Sequence, residues 1–164
     1  GTDETPAQAS AEEIANSQSE GAPNLEYPED PQHTRYKVGD TIPLQSDGKD
    51  VGTFCIDKVE VTDERNEYNP TNPDKVIVIT YTYKNTAFDN PLLYDQMSFP
   101  LFWTVTRYAF RIIHPIDLPE LVNAGDDAVT ATLAYGDALS CNEVTIYVEG
   151  TQIPTPFQVS ASIS

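Results

Sequence analysis

The sequence predicts an all-β protein: a two-sheet sandwich of about seven to nine strands behind a disordered N-terminal tail. Three observations carry this. Residues 1–34 contain eight acidic residues, no Lys or Arg, and a single aromatic, Tyr27. Such a segment buries too little apolar surface to offset the entropy of ordering it, so it reads as an acidic linker or tail. Residues 35–164 hold the other 15 of the 16 aromatics and are punctuated by turn residues, which makes them the β-sandwich domain. Within that domain, Lys75 to Lys84 runs ten residues without Gly, Pro or Ala, between Asn72-Pro73-Asp74 and Asn85.

Taken in order, Ser10-Ala11-Glu12-Glu13 offers a capping box, but no amphipathic run follows it. The first strand is expected over Tyr36 to Leu44, closed by the turn Ser46-Asp47-Gly48, and the second over Thr53 to Val61. Lys75 to Lys84 carries bulk on both alternating faces, as a strand in the middle of a sheet does. Further strands are expected over Leu92 to Phe99, Phe102 to Ile113, Ala128 to Tyr135, Val144 to Val148 and Phe157 to Ser162. Their connections are Asp89-Asn90-Pro91, Ala124-Gly125-Asp126, Tyr135-Gly136-Asp137 and Glu149-Gly150. Pro115 and Pro119 restrict 116–122 to one helical turn.

The formal net charge is −17 over 164 residues. Nucleic acid and anionic lipid bind through clustered cations, so neither is expected as a partner. No apolar run reaches the roughly 20 residues of a membrane-spanning helix.

Cys55 and Cys141 lie 86 positions apart, which excludes a CxxC pair. One is in an expected strand and the other just before one, so they form the disulfide candidate. On the chain-entropy model a loop of that length stabilises by roughly 4–5 kcal/mol. The chain opens on Gly1-Thr2 with an acidic spacer, from which export is expected, with a signal segment and a lipid-bearing cysteine removed from the precursor.

Four segments carry a family resemblance: Tyr36-Lys-Val-Gly-Asp-Thr-Ile-Pro-Leu44, Gly52-Thr-Phe-Cys-Ile-Asp-Lys-Val-Glu-Val61, Val76 to Asn85, and Ala124 to Gly136. Together they resemble the uncharacterised immunoglobulin-like domain of Gram-positive surface lipoproteins, which is similar in fold to the mycobacterial immunoprotective extracellular antigen. The resemblance spans 36–148. It implies an immunoglobulin-like sandwich on an extracellular or cell-surface protein, held to the membrane only through a lipid anchor on the precursor, and it implies no activity and no site. The run Phe102 to Ile113 departs from the pattern because it lacks the hairpin turn expected there.

The histidines, His33 and His114, stand beside no nucleophile motif, and no Gly-x-Ser-x-Gly, His-Glu-x-x-His or phosphate loop occurs. No catalytic residue, metal ligand or cofactor is therefore assigned. The loop Asp63 to Asp74 is rich in oxygen donors but has Arg65 inside it and no EF-hand spacing, so it reads as a solvated turn before it reads as a calcium site. If 102–113 is one strand, Trp103, Arg107 and Arg111 share a face and form the candidate partner-binding surface, against the alternative that Trp103 is core. The expected function is non-catalytic binding of an extracellular protein or glycan. The alternatives are a wall-polymer enzyme or accessory using paired carboxylates, and a sensor or chaperone-like domain that pairs an edge strand with a peptide.

Overall fold

The computed structural model describes residues 35–68, 72–99, 105–107, 118–137, 141–150, 152–153 and 156–163. The expected tail, 1–34, lies outside them. Nine strands form among the described residues: β1 (Arg35–Lys37), β2 (Ile42–Ser46), β3 (Lys49–Thr62), β4 (Lys75–Asn85), β5 (Met97–Ser98), β6 (Thr106–Arg107), β7 (Val129–Asp137), β8 (Glu143–Val148) and β9 (Phe157–Ser162). They make two sheets, one in the order β1-β9-β8-β5 and the other β2-β3-β4-β7-β6. Every pairing is antiparallel except β1 with β9, which runs parallel from Arg35 opposite Gln158 to Lys37 opposite Ser160. The all-β sandwich is thus the fold of the described domain, and β4 is its central strand.

The inward phase of β4 places Ile77, Ile79, Tyr81 and Tyr83 on the core side, all completely buried. Phe54 stacks on Tyr81 at 5.5 Å and meets Tyr94 at 5.2 Å. It also meets Phe157 of the opposite sheet at 5.3 Å, so its ring joins the two layers. The tyrosine hydroxyls do not waste their polarity: Tyr81 donates to the Tyr94 carbonyl at 2.6 Å, and Tyr83 donates to the Glu120 carbonyl while accepting the Glu120 amide at 2.9 Å. These two phenols therefore fasten loops to the central strand. Glycine is required at 150, since a Cβ there would come within 2.6 Å of the Tyr94 ring.

The last residue of β4, Asn85, is fully buried and organises one end of the sandwich. Its Nδ2 donates to the carbonyls of Asn90 at 3.0 Å, Val122 at 3.1 Å and Phe88 at 3.3 Å, and its Oδ1 accepts the Phe88 amide at 2.8 Å. Two loops distant in sequence meet on one side chain. A bridge from Leu92 to Val122 continues the same junction.

Three expected strands take a different form. The run 36–44 is two strands in different sheets, because Gly39 adopts φ +95° and Asp40 caps the turn by accepting the Lys37 amide at 2.8 Å. The expected strand 92–99 reduces to β5 and the Leu92 bridge. Of 102–113, Thr106–Arg107 is strand, and 102–104 and 108–113 lie outside the described residues.

Candidate functional site

β3 is 14 residues long but its neighbour β2 is only 5. The β2 ladder ends where Ile42 faces Phe54, and beyond it the Gly39 amide reaches the Ile56 carbonyl at 2.9 Å. From Asp57 to Thr62, no strand among the described residues pairs with the outer edge of β3. Over that stretch, among the described residues, β3 is bonded only to β4, with Lys58 opposite Thr80 and Thr62 opposite Val76.

A bulge between Ile56 and Lys58 resets the side-chain phase there. Ile56 points into the core, and after the extra residue Val59 and Val61 resume the inward direction. They are only half-buried. Lys58 and Glu60 stand outward, 60% and 55% exposed, with Nζ and Oε2 3.1 Å apart. An ion pair this exposed adds little stability.

Between this edge and the other sheet lies an open groove of about 570 Å³, lined by Lys37, Val38, Lys58, Val59, the strand starts and ends Glu143–Thr145 and Ser160–Ser162. Val144 and Ala161, opposite each other in the β8–β9 ladder, are buried side chains of its floor. The rim carries two lysines and one carboxylate, Glu143. Lys58 is itself paired with Glu60, so the lysines of the rim are matched by carboxylates.

The expected disulfide is not formed: Cys55 and Cys141 are not bonded to each other. Cys55 sits in β3 opposite Thr82, whereas the Cys141 carbonyl is held by the Lys75 ammonium at the other end of β4. Seven residues of strand separate Thr82 from Lys75, about 23 Å, against the roughly 7 Å limit between bonded cysteines' Cα atoms. The Cys55 thiol is pushed above its ordinary pKa, first by burial and then by the Asp57 carboxylate. The Cys141 thiol points at the Asp137 carboxylate, 4.0 Å away.

Of the candidate partner face, Arg107 is exposed on the edge strand β6, opposite Tyr135. Trp103 and Arg111 lie outside the described residues, as do His33 and His114. Burial pushes the Tyr135 phenol up to about 12, partly offset by the Arg107 charge.

In the 63–74 loop, Arg65 donates from Nη1 to the carbonyls of Thr62 at 3.1 Å and Glu64 at 3.0 Å, and from Nη2 to that of Asp74 at 3.4 Å. A guanidinium here competes for the oxygens a cation would use. Among the described residues no three His, Cys, Asp or Glu side chains cluster as metal ligands. The edge strand β2 is uncharged, but Pro43 interrupts it. Because Ile56 turns its carbonyl outward to Gly39, alternation sends Phe54 toward β2 and leaves Pro43, opposite Thr53, with its missing N–H on the sheet's free side. Strand addition there is blunted.

Lys58, Val59 and Glu60 were not among the residues singled out in the sequence. Their alternation resembles any half-exposed strand, and only the shortness of β2 leaves their edge without a neighbour among the described residues. The chain matches no protein-family model, and no curated protein is significantly similar to it.

Proposed function

We propose that the chain is a non-catalytic binding module that takes an extended segment of a partner protein along the edge of β3 that no described strand pairs. The edge from Asp57 to Thr62, lying beside the groove, carries this reading. A strand laid there continues the line of β2, satisfies the exposed main-chain groups of β3, and drops its alternate side chains onto Val38, Val59, Val144 and Ala161. The groove lining includes one carboxylate, Glu143, and acid–base chemistry on a polymer needs two. This favours binding over the wall-polymer enzyme. An exported, surface setting belongs to the same proposal and rests on the family resemblance and the acidic 1–34 segment, since the absence of a Cys55–Cys141 bond removes the disulfide as a support.

Peptide display tests it. Random peptides of about ten residues, selected on the full chain, should be enriched in strand-forming sequences and should lose binding to the Val59→Lys variant, which aims a charge into the groove. Bound peptide should protect amides of 57–62 in hydrogen exchange. Peptides that bind the variant equally, or that protect residues elsewhere, would overturn the reading.

A further inference from the structure

We infer that Lys58 and Glu60 select the partner strand: its orientation is antiparallel to β3, with an acidic side chain opposite Lys58, a basic one opposite Glu60, and apolar residues between them facing the groove. The inference rests on the strand-addition reading and adds the sequence class of the segment.

Three features of the edge lead to it. First, the position beside β3 that the partner would fill is the prolongation of β2, and β2 itself runs antiparallel to β3. A strand entering there meets the Gly39–Ile56 contact end-on, and the natural continuation of that sheet is antiparallel. Second, the bulge fixes which side chains look which way. Val59 and Val61 share the inward phase, half-buried, and Val59 lines the groove beside Val38, Val144 and Ala161, so a guest residue opposite Val59 meets the apolar part of a groove that Thr145, Ser160 and Ser162 also line. Third, Lys58 and Glu60 both stand on the solvent face, two residues apart and of opposite sign, and a guest exchanges their exposed mutual pair, 3.1 Å apart, for two pairs across the ladder. On an antiparallel ladder, directly opposed side chains are close enough to interact, so the guest's outward residues meet one cation and one anion in fixed order. The order makes the edge directional. A guest reading base then acid toward its C-terminus satisfies both charges, and the same guest with the two exchanged opposes both.

A pair of isomeric peptides reads this directly. Acetylated, amidated Thr-Val-Lys-Val-Glu-Thr matches the edge in the antiparallel sense, and Thr-Val-Glu-Val-Lys-Thr has the same composition, charge and hydropathy with the order reversed. Titrated into the full chain and followed by amide shifts at 57–62, the first should bind about tenfold more tightly than the second. The double variant Lys58→Glu with Glu60→Lys should invert the preference. Both side chains are exposed, so the variant is expected to fold, and its melting curve checks that. The discrimination should shrink in about 0.5 M salt, where exposed charge pairs are screened.

Equal binding of the two peptides at 57–62, in native chain and double variant alike, would overturn the charge selection and leave strand addition standing. Preference of the native chain for the second peptide would mean a parallel guest and would overturn the antiparallel assignment. Shifts centred away from β3, or no shift for either peptide at millimolar concentration, would sink the strand-addition reading itself. Concentration-dependent doubling of mass without peptide, with protection at 57–62, would make a second copy of the chain the occupant and overturn a foreign segment.

Discussion

Replacing Asn85 with alanine is expected to destabilise the domain by about 2–4 kcal/mol. The amide makes three contacts of 2.8–3.1 Å and a longer one of 3.3 Å, all to main-chain groups of the 86–91 and 122–125 loops. At about 1 kcal/mol net for each of the three good bonds, the lost hydrogen bonding alone approaches 3 kcal/mol. Carbonyls left dry add to that, and relaxation of the loops toward water subtracts from it. Urea titration gives the free energy, and the melting temperature should fall by about 10 °C. Hydrogen exchange should localise the damage to the amides of Phe88 and of Gly125, the latter bonded to the Asn85 carbonyl at 3.1 Å. Asn85→Asp is harsher near neutrality. It sets a buried carboxylate against three carbonyl oxygens, so its folded pKa rises above the unfolded value; stability is then retained below about pH 4 and declines as pH rises through the folded pKa. An alanine variant within about 0.5 kcal/mol of the native chain would refute the claim that one side chain holds both loops.

Gly150→Ala should cost about 1–3 kcal/mol in urea, because the methyl group meets the Tyr94 ring within 2.6 Å. Both cysteines should react with a thiol reagent in protein prepared without reductant, Cys55 needing higher pH because burial and Asp57 raise its pKa; a thiol count of zero would restore the disulfide. Tyr81, Tyr83, Tyr94 and Tyr135 all have pKa values raised mainly by burial, Tyr135 to about 12 from the ordinary 10. The folded state therefore holds phenolic protons that the unfolded chain releases, so stability is complete below about pH 10 and is lost as pH rises toward about 12. Tyrosinate absorbance should then appear together with the loss of near-ultraviolet circular dichroism, and ionisation of all tyrosines without unfolding would contradict their burial.

What could be read from the chain depended on whether the signal was local. The central strand was plain, since Lys75 to Lys84 contains no residue that disfavours a sheet and two turn clusters bracket it. The sheet change at Val38–Thr41 was present in Gly39-Asp40, a turn pair, but strand-like residues on both sides masked it. Asn85 could be read only as the residue that stops a strand, because its partners are main-chain carbonyls of residues 88, 90 and 122, which no pattern announces. The free edge of β3 was invisible for a similar reason: whether Lys58 to Thr62 has a neighbour depends on where β2 ends. The cysteines misled because strand placement was weighed without the position along the strand, and seven residues of offset decide whether two thiols meet.

The parallel pairing of β1 with β9 places the start of the first strand and the finish of the last at opposite tips of one short ladder. Tension between the chain ahead of Arg35 and the chain beyond Ser162 would load those bonds side by side, sliding the strands past each other and not peeling them one bond at a time. Traction on the two ends of this domain would thus be shared by all the bonds of that ladder at once.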